Sequence, residues 1–360
     1  MKAVIEAELA DRLARRTDAW CRIPSPTGFE SDLADRVAAE ALAAGLVATR
    51  HRHCLVLRRP NQKGPVDLAL VGHLDTVRPA TDQPEGIFEG RVWGCGASDM
   101  KGALAVMFDR LCEPSRHSLL GLFYDREEGP FADNGLAWLR AEGLLPEARA
   151  AVVMEPTGNA IEAGCMGNLH AELVLHGRRA HSARPWQGEN ALHAAHPVLA
   201  ALAGMAYPER RVGGLPFREV LSATTATTRN GRNVVPDTLT LNLNLRFSPD
   251  RSLAEAEAGL REWIEGLRLR VPWDLDITDR APGGRVCMDA PLIGPWRLRH
   301  GLPVRPKQAW TDVAQLTEAG IPAVNFGPGD PAEAHQARES VRLADLVRAW
   351  QLLDDLAEGP

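Results

Sequence analysis

No stretch of this chain approaches the roughly 18 consecutive apolar residues that a membrane-spanning helix requires, and none is expected to enter a bilayer. The first residues, Met1-Lys2-Ala3-Val4-Ile5-Glu6-Ala7-Glu8, carry acids where a secretion signal needs an apolar core. There is no basic excess either. Lys and Arg total 41 against 47 Asp and Glu, for a formal charge of −6 and a pI near 6.0. That balance argues against nucleic acid or an anionic membrane as the main partner. The six cysteines, Cys21, Cys54, Cys95, Cys112, Cys165 and Cys287, are scattered and form no CxxC pair. They read as reduced thiols of a cytoplasmic protein rather than as a disulfide framework. Internal repeats and low-complexity tracts are missing, apart from an alanine bias. What remains is an ordinary soluble composition, 45% apolar and 24% charged, over 360 residues, a length for which two domains are the natural expectation.

The informative features are short apolar runs that each end in ionisable residues. Val66-Asp67-Leu68-Ala69-Leu70 reads as a buried parallel strand and runs into Val71-Gly72-His73-Leu74-Asp75-Thr76-Val77. Residues two apart in extended backbone point the same way, so His73 and Asp75 face one spot at the strand's carboxyl end. Ligands gather there in open α/β sheets. A His beside a carboxylate suits a metal ligand held by a supporting partner. Leu119 to Tyr124 is a second such strand and ends in Asp125-Arg126-Glu127-Glu128-Gly129, whose adjacent carboxylates point to opposite sides. Ala150 to Met154 is a third, ending at Glu155-Pro156-Thr157. A glycine-rich approach, Trp93 to Ser98, leads to Asp99, which the pattern places at the N-terminus of an apolar helix beginning at Met100. Taken singly, each signal has a plain reading: a loop His, a helix N-cap, a solvated acidic turn. Three strand ends presenting ionisable groups exceed what solubility asks of loops.

The rest of the chain frames these runs. Helices are expected over residues 4–20, from Glu30 to Ala44 with Gly45 as C-cap, and over 341–357, with a strand from Cys54 to Leu57. After about residue 167 the character changes. A half-exposed strand from His170 to His176, a loop from Gly177 to Pro185 and a helix from Glu189 to Ala203 are followed by a Thr-rich strand over 218–228. The turn signal Asn230-Gly231 precedes a cleanly alternating strand from Thr238 to Phe247, an amphipathic helix from Ser252 to Leu267 and a last strand near 268–277. The order β-α-β-β-α-β matches a ferredoxin-like split unit. From about 280 the first pattern returns, with Pro322 to Phe326 as a buried strand, then Gly327-Pro328-Gly329-Asp330 and His335. The expected organisation is an α/β domain of residues 1–166 and 279–360 carrying an inserted domain of residues 167–278.

His73, Asp75, Asp99, Glu127, Glu128, Glu155 and His335 form a donor set of the kind that takes zinc, cobalt or manganese. Two ions about 3.5–4 Å apart share a water and lower its pKa towards 7. A spare carboxylate then moves the water's proton to a leaving amine.

With those residues in place, a resemblance emerges over nearly the whole chain. Gly72 to Val77, Gly94 to Gly102 around Asp99, Glu127-Glu128-Gly129 and Glu155-Pro156-Thr157 resemble the di-zinc amidohydrolase and metallopeptidase family of aminoacylases, acetylornithine deacetylases and succinyl-diaminopimelate desuccinylases. The resemblance implies a zinc-peptidase-like mixed sheet flanked by helices, with an inserted ferredoxin-like α+β dimerisation (lid) domain. It implies one ion held by His73, Asp99 and Glu155 and another by Asp99, Glu128 and His335, zinc in the first place with cobalt or manganese as substitutes. Asp75 would orient His73, and Glu127 would be the general base. His181, in a position that reaches the partner subunit's site in that family, would stabilise the oxyanion within a homodimer. Asn233 and Arg246 match substrate-binding positions, an arginine fitting a carboxylate bidentately, and Arg184 and Thr311 are weaker candidates. The other eight of the eleven histidines, His53 among them, read as ordinary surface or packing residues.

Within the family, Ile161 to Cys165, Ala180 to Arg184, Trp310 to Val313 and Gly320 to Pro331 look most like the shorter desuccinylases. The implied reaction is hydrolysis of N-succinyl-LL-2,6-diaminopimelate, on the route to lysine. Acetylornithine or another N-acyl amino acid is the nearest alternative substrate, and dipeptide or C-terminal peptide cleavage a more distant one. A metal-binding module without catalysis would be expected to lack a ligand or the base, and none is lacking. Two departures bear on the substrate only. Arg338-Glu339-Ser340-Val341 keeps the Glu and Val of an Asp-Glu-Arg-Val run, and Cys165-Met166 stands where some desuccinylases place two arginines.

Overall fold

Apolar runs too short for helices and bounded by glycine and polar residues become the centre of an eight-stranded mixed sheet. The computed structural model describes residues 2–359. In spatial order the strands are Val47–His51, Cys54–Arg58, Leu119–Tyr124, Val66–His73, Ala148–Val153, Ala323–Asn325, Ile161–Ala163 and Val304–Pro306. The four central strands are parallel, with Val71 opposite both Leu122 and Val153. The Leu119–Tyr124 strand is buried at every residue, which explains an unbroken apolar run instead of an alternating one. Helices Lys2–Cys21, Gly102–Cys112 and Leu343–Glu358 pack on one another and cover the sheet. Ser31–Ala43 packs on the two strands at one edge, Val47–His51 and Cys54–Arg58. All six cysteines are free, and no helix among the described residues is long and apolar enough to cross a membrane.

The chain divides into two compact units. One comprises residues 1–164, 285–307 and 315–360, the other residues 165–284 and 308–314. The inserted segment is therefore a few residues longer at each end than 167–278, and it takes up the short piece containing Thr311. The second unit is built on a four-stranded antiparallel sheet ordered Val220–Thr227, Thr238–Phe247, Gly167–His176 and Trp273–Ala281. Leu169, Leu173, Leu241 and Leu243 line its buried face, against Leu260 and Ile264 of helix Leu253–Gly266. Ser252 and Glu255 close a capping box at the start of that helix. The connectivity is that of a ferredoxin-like α+β fold.

Three local expectations are corrected. The helix after Asp99 starts at Gly102 rather than Met100, and Asp99 itself is non-helical at φ −125° and ψ 90°. The helix from Glu189 to Ala203 is two short ones, Ala191–Ala194 and His196–Ala203. Pro197 has no N–H with which to continue the first. The last strand of the second unit is Trp273–Ala281, because Arg268 turns at φ +48° and Pro272 delays entry into the sheet. A hairpin of Glu209–Val212 and Leu215–Arg218, turned by Gly213-Gly214, carries no expectation from the sequence.

The Gly327-Pro328-Gly329 segment is where the fold sets up the site. A Cβ on Gly327 would stand 2.5 and 2.6 Å from the carbonyl oxygens of Glu155 and Met154. One on Gly329 would stand 2.4 Å from the carbonyl oxygen of Ser98. Glycine lets this segment lie directly against the backbone beside Glu155 and Asp99. Gly327→Ala should therefore destabilise by about 1–3 kcal/mol through overpacking against backbone that has no rotamer to change. Urea denaturation checks this, and an unchanged midpoint would contradict it.

Candidate metal centre

The expected donors of the first unit converge at the carboxyl ends of the parallel strands. His73 ends the Val66–His73 strand and is 1% exposed. Its Nδ1 lies 2.9 Å from the main-chain carbonyl of Asp75, an atom that can only accept, so Nδ1 carries a proton. Its Nε2 faces Asp99 Oδ1 at 3.2 Å and Glu155 Oε1 at 4.0 Å. Asp99 presents its other oxygen to His335, with Oδ2 3.6 Å from Nε2, and the same Nε2 is 2.7 Å from Glu128 Oε1. One carboxylate thus stands between two imidazoles.

Asp75 acts less on His73 than its place in the sequence indicates. Its carboxylate is 3.6 Å from His73 Nδ1, but it accepts the N–H groups of Glu127 and Glu128 at 2.9 and 3.0 Å and the Thr27 hydroxyl at 3.0 Å. It ties two strand ends together while its own backbone carbonyl fixes the imidazole. Arg126 at φ +61° turns the chain between Asp125 and Glu127. His335 also sits at positive φ, +63°, in an exposed loop. Non-glycine residues in that region cost about 1–3 kcal/mol and collect at functional sites.

The charges are strongly coupled. Burial opposes ionisation of Asp99, yet hydrogen bonds from His335 and His73 hold its carboxyl well below the usual range. Burial also works against the His73 imidazolium, but Asp99 and Glu127 raise its pKa well above normal. Bonds to Asp99 and Glu128 raise His335 to about 10. Burial pushes Glu155 up to about 7 against the pull of Lys307, and leaves Glu155 Oε1 with no hydrogen-bond partner.

This donor set fits divalent ions. With zinc–ligand distances near 2.1 Å, two ligand atoms of a tetrahedral site stand about 3.4 Å apart. The His73–Asp99 and His335–Asp99 separations of 3.2 and 3.6 Å already match. The 2.7 Å His335–Glu128 contact would have to open. The unpartnered Glu155 oxygen supplies a further donor. His73, Asp99 and Glu128 bring one ligand atom each within 4.8 Å of one another.

Two residues here carried no role in the sequence. Glu339, 2% exposed, accepts the N–H groups of Gly96, Ser98 and Asp99 at 3.1, 2.9 and 2.8 Å, and burial pushes its carboxyl up to about 7 against those donors. This is why Asp99 sits outside the helix: its N–H is taken by a side chain 240 positions away. The retained Glu of the Arg338 to Val341 run was the available signal. Lys307, 6% exposed, places Nζ 3.1 Å from Glu162 and 3.7 Å from Glu155, and no local pattern marks it.

The candidates of the second unit form a separate group. His181 and Val234 pair across a short two-stranded sheet. The Asn233 carbonyl accepts the Ser182 N–H at 2.9 Å, and the Arg184 N–H bonds the His181 carbonyl at 2.8 Å. His181, Arg184 and Asn233 are all exposed. His181 Nδ1 accepts the Ala183 N–H at 3.0 Å, leaving Nε2 outward. Arg246 is half-buried on the sheet, its Nε 3.1 Å from Asn244 Oδ1, and burial lowers its pKa. Thr311 is buried, with an unpartnered hydroxyl and a carbonyl that accepts the Cys165 thiol at 3.4 Å. Cys165 and Met166 are themselves fully buried.

Residues 69–359 match the profile of peptidase family M20/M25/M40, and the chain belongs to that family of metal-dependent hydrolases. A Mycobacterium tuberculosis protein provisionally named a succinyl-diaminopimelate desuccinylase is 39% identical over 345 residues, covering 94% of this chain and 95% of the relative. The succinyl-diaminopimelate desuccinylase of Corynebacterium glutamicum is 37% identical over 352 residues, 92% of each chain. Among solved structures, a dinuclear metal-binding M20 peptidase of Bacillus subtilis superposes with a TM-score of 0.72 at 15% identity, covering 98% of both chains, which speaks for the fold.

Glu339→Ala should leave three buried N–H donors without an acceptor. At about 1–3 kcal/mol per unsatisfied group, the loss should be several kcal/mol. Denaturation midpoints should fall below wild type for both variants, furthest for Glu339→Ala and less for Glu339→Gln, which keeps one acceptor. Equal midpoints for all three would remove Glu339 from its supporting role.

Proposed function

We propose that this chain is a two-metal amidohydrolase that cleaves N-succinyl-LL-2,6-diaminopimelate to succinate and LL-2,6-diaminopimelate. The observation that carries the reading is the Asp99 carboxylate presented to two separate imidazoles, with a further carboxylate beside each. The acyl group comes from the names of full-length relatives at 37–39% identity. His73, Asp99 and Glu155 would hold one ion and Asp99, Glu128 and His335 the other, with zinc the best match to mixed imidazole and carboxylate donors. When bound, such a pair of ions would supply Lewis-acid polarisation of the amide carbonyl and a lowered pKa for the attacking water. Glu127 takes the proton from that water and passes it to the amine nitrogen as the C–N bond breaks. Its backbone N–H is fixed by Asp75, so its side chain swings from a braced anchor. In this reading the second unit dimerises, and the outward Nε2 of His181 donates to the developing oxyanion of the partner's site. Arg246 pairs with a substrate carboxylate and Asn233 with its polar groups, while Arg184 and Thr311 border them.

Glu127 and Glu128 separate in a simple experiment. Asp99→Ala should lose both ions of the centre. Glu127→Ala should keep both yet lose several orders of magnitude in turnover. Metal loss in Glu127→Ala with normal turnover per loaded site would exchange the two roles. With wild-type protein, N-succinyl-diaminopimelate should outcompete N-acetylornithine as substrate, and the reverse preference would transfer the assignment to a deacetylase.

The trans role of His181 calls for complementation. His181→Ala and Glu127→Ala proteins, each inactive, are mixed and allowed to exchange subunits. Acting in trans, one site of the mixed dimer carries both defects and the other carries neither, so activity returns to about one quarter of wild type per chain at most, since random exchange leaves half the dimers mixed. Verified heterodimers without activity would rule the role out.

A further inference from the structure

We propose that Glu30, His53 and Asp125 form a third divalent-cation site, distinct from the two-metal centre, that braces the Asp125–Glu128 loop from behind. The three residues bring one ligand atom each within 4.8 Å of one another. They come from three places in the chain. Glu30 immediately precedes helix Ser31–Ala43, His53 lies in the turn before strand Cys54–Arg58, and Asp125 follows strand Leu119–Tyr124. Strand pairing brings two of them together. Leu55 pairs with Phe123, and the same antiparallel register carried two residues further sets His53 opposite Asp125.

Both carboxylates are 0% exposed. Each has one oxygen spoken for: Glu30 Oε1 accepts the Gly28 N–H at 2.7 Å, and Asp125 Oδ1 accepts the Cys54 thiol at 3.2 Å. The other oxygens, Glu30 Oε2 and Asp125 Oδ2, are buried without a hydrogen-bond partner. A buried, uncompensated carboxylate costs several kcal/mol, and two side by side cost more. Burial accordingly raises the Glu30 carboxyl, with Asp75 and Asp125 adding repulsion. An imidazole and two carboxylates neutralise and coordinate a first-row divalent ion well. His53 is half-buried, which gives such an ion a way in. The Cys54 thiol is driven far above its normal pKa by burial and remains a donor to Asp125. Space around Asp125 is reserved by glycine: a Cβ on Gly135 would lie 2.0 Å from Asp125 Oδ1.

The location gives the site a task. Asp125 is joined through Arg126 to Glu127 and Glu128, and its carbonyl accepts the Gly135 N–H at 2.9 Å. On the other side, Glu30 holds the Gly28 N–H, next to Thr27, whose hydroxyl bonds the Asp75 carboxylate that anchors Glu127 and Glu128. A cation clamping Glu30 to Asp125 would fix both ends of that chain of contacts.

Zinc stoichiometry after equilibrium dialysis against micromolar zinc chloride tests this independently of the two-metal reading. Wild type should hold three ions per chain, His53→Ala two, Asp99→Ala one, and the double variant none. In the Asp99→Ala background, zinc should also raise the thermal midpoint, and adding His53→Ala should remove that rise. Glu30→Gln should behave as His53→Ala. The half-buried His53 position keeps the test valid should Glu30→Gln fail to fold. Equal zinc content in wild type and His53→Ala, or no zinc in Asp99→Ala, would overturn the third site. Zinc content unaffected by Asp99→Ala would overturn the two-metal reading instead.

Discussion

The carboxylate of Asp99 is the constraint on which the site depends. It is a largely enclosed anion, its side chain 11% exposed, that two imidazoles face from different directions. Such a group persists only if its charge is matched and its geometry held. The matching comes from His73 and His335. The holding comes from Glu339, which accepts the N–H groups of Gly96, Ser98 and Asp99, and from glycines that let neighbouring backbone close in. The parallel sheet supplies the common edge. His73 ends, and Asp125 and Glu155 follow, three strands that lie side by side, so residues far apart in sequence meet without long side-chain reaches.

The same logic explains what could be read from the sequence. The Leu119–Tyr124 and Thr238–Phe247 strands carry their burial in their patterns, one continuous and one alternating, and both have the bounds those patterns predict. The family and the α/β class follow from motifs at strand ends, whose residue types are set by chemistry. The sequence marks Asp99 as a donor but not its conformation, because the partner that pulls it out of the helix is 240 residues distant. Lys307 was invisible for a related reason. A lone lysine after a proline means nothing until Glu155 and Glu162 are placed beside it. His53 likewise reads as an ordinary turn residue until strand pairing sets it across from Asp125.

The centre is not symmetric about Asp99, and the asymmetry has consequences. On one side His73 and Glu155 are almost fully buried, with side-chain exposures of 1% and 8%. On the other, His335 is 49% exposed. Lys307 adds a buried positive charge next to Glu155, so the enclosed side is partly neutralised before any ion arrives. In the two-metal reading, an ion beside His73 gains from low local dielectric, which strengthens each Coulomb term, yet must share Glu155 with an ammonium group. An ion beside His335 would instead be screened by water, since that imidazole is half-exposed. Enclosure and accessibility therefore fall to different halves. In that reading the half that opens to solvent is the one through which water and substrate would reach the shared carboxylate, and the enclosed half would hold the frame.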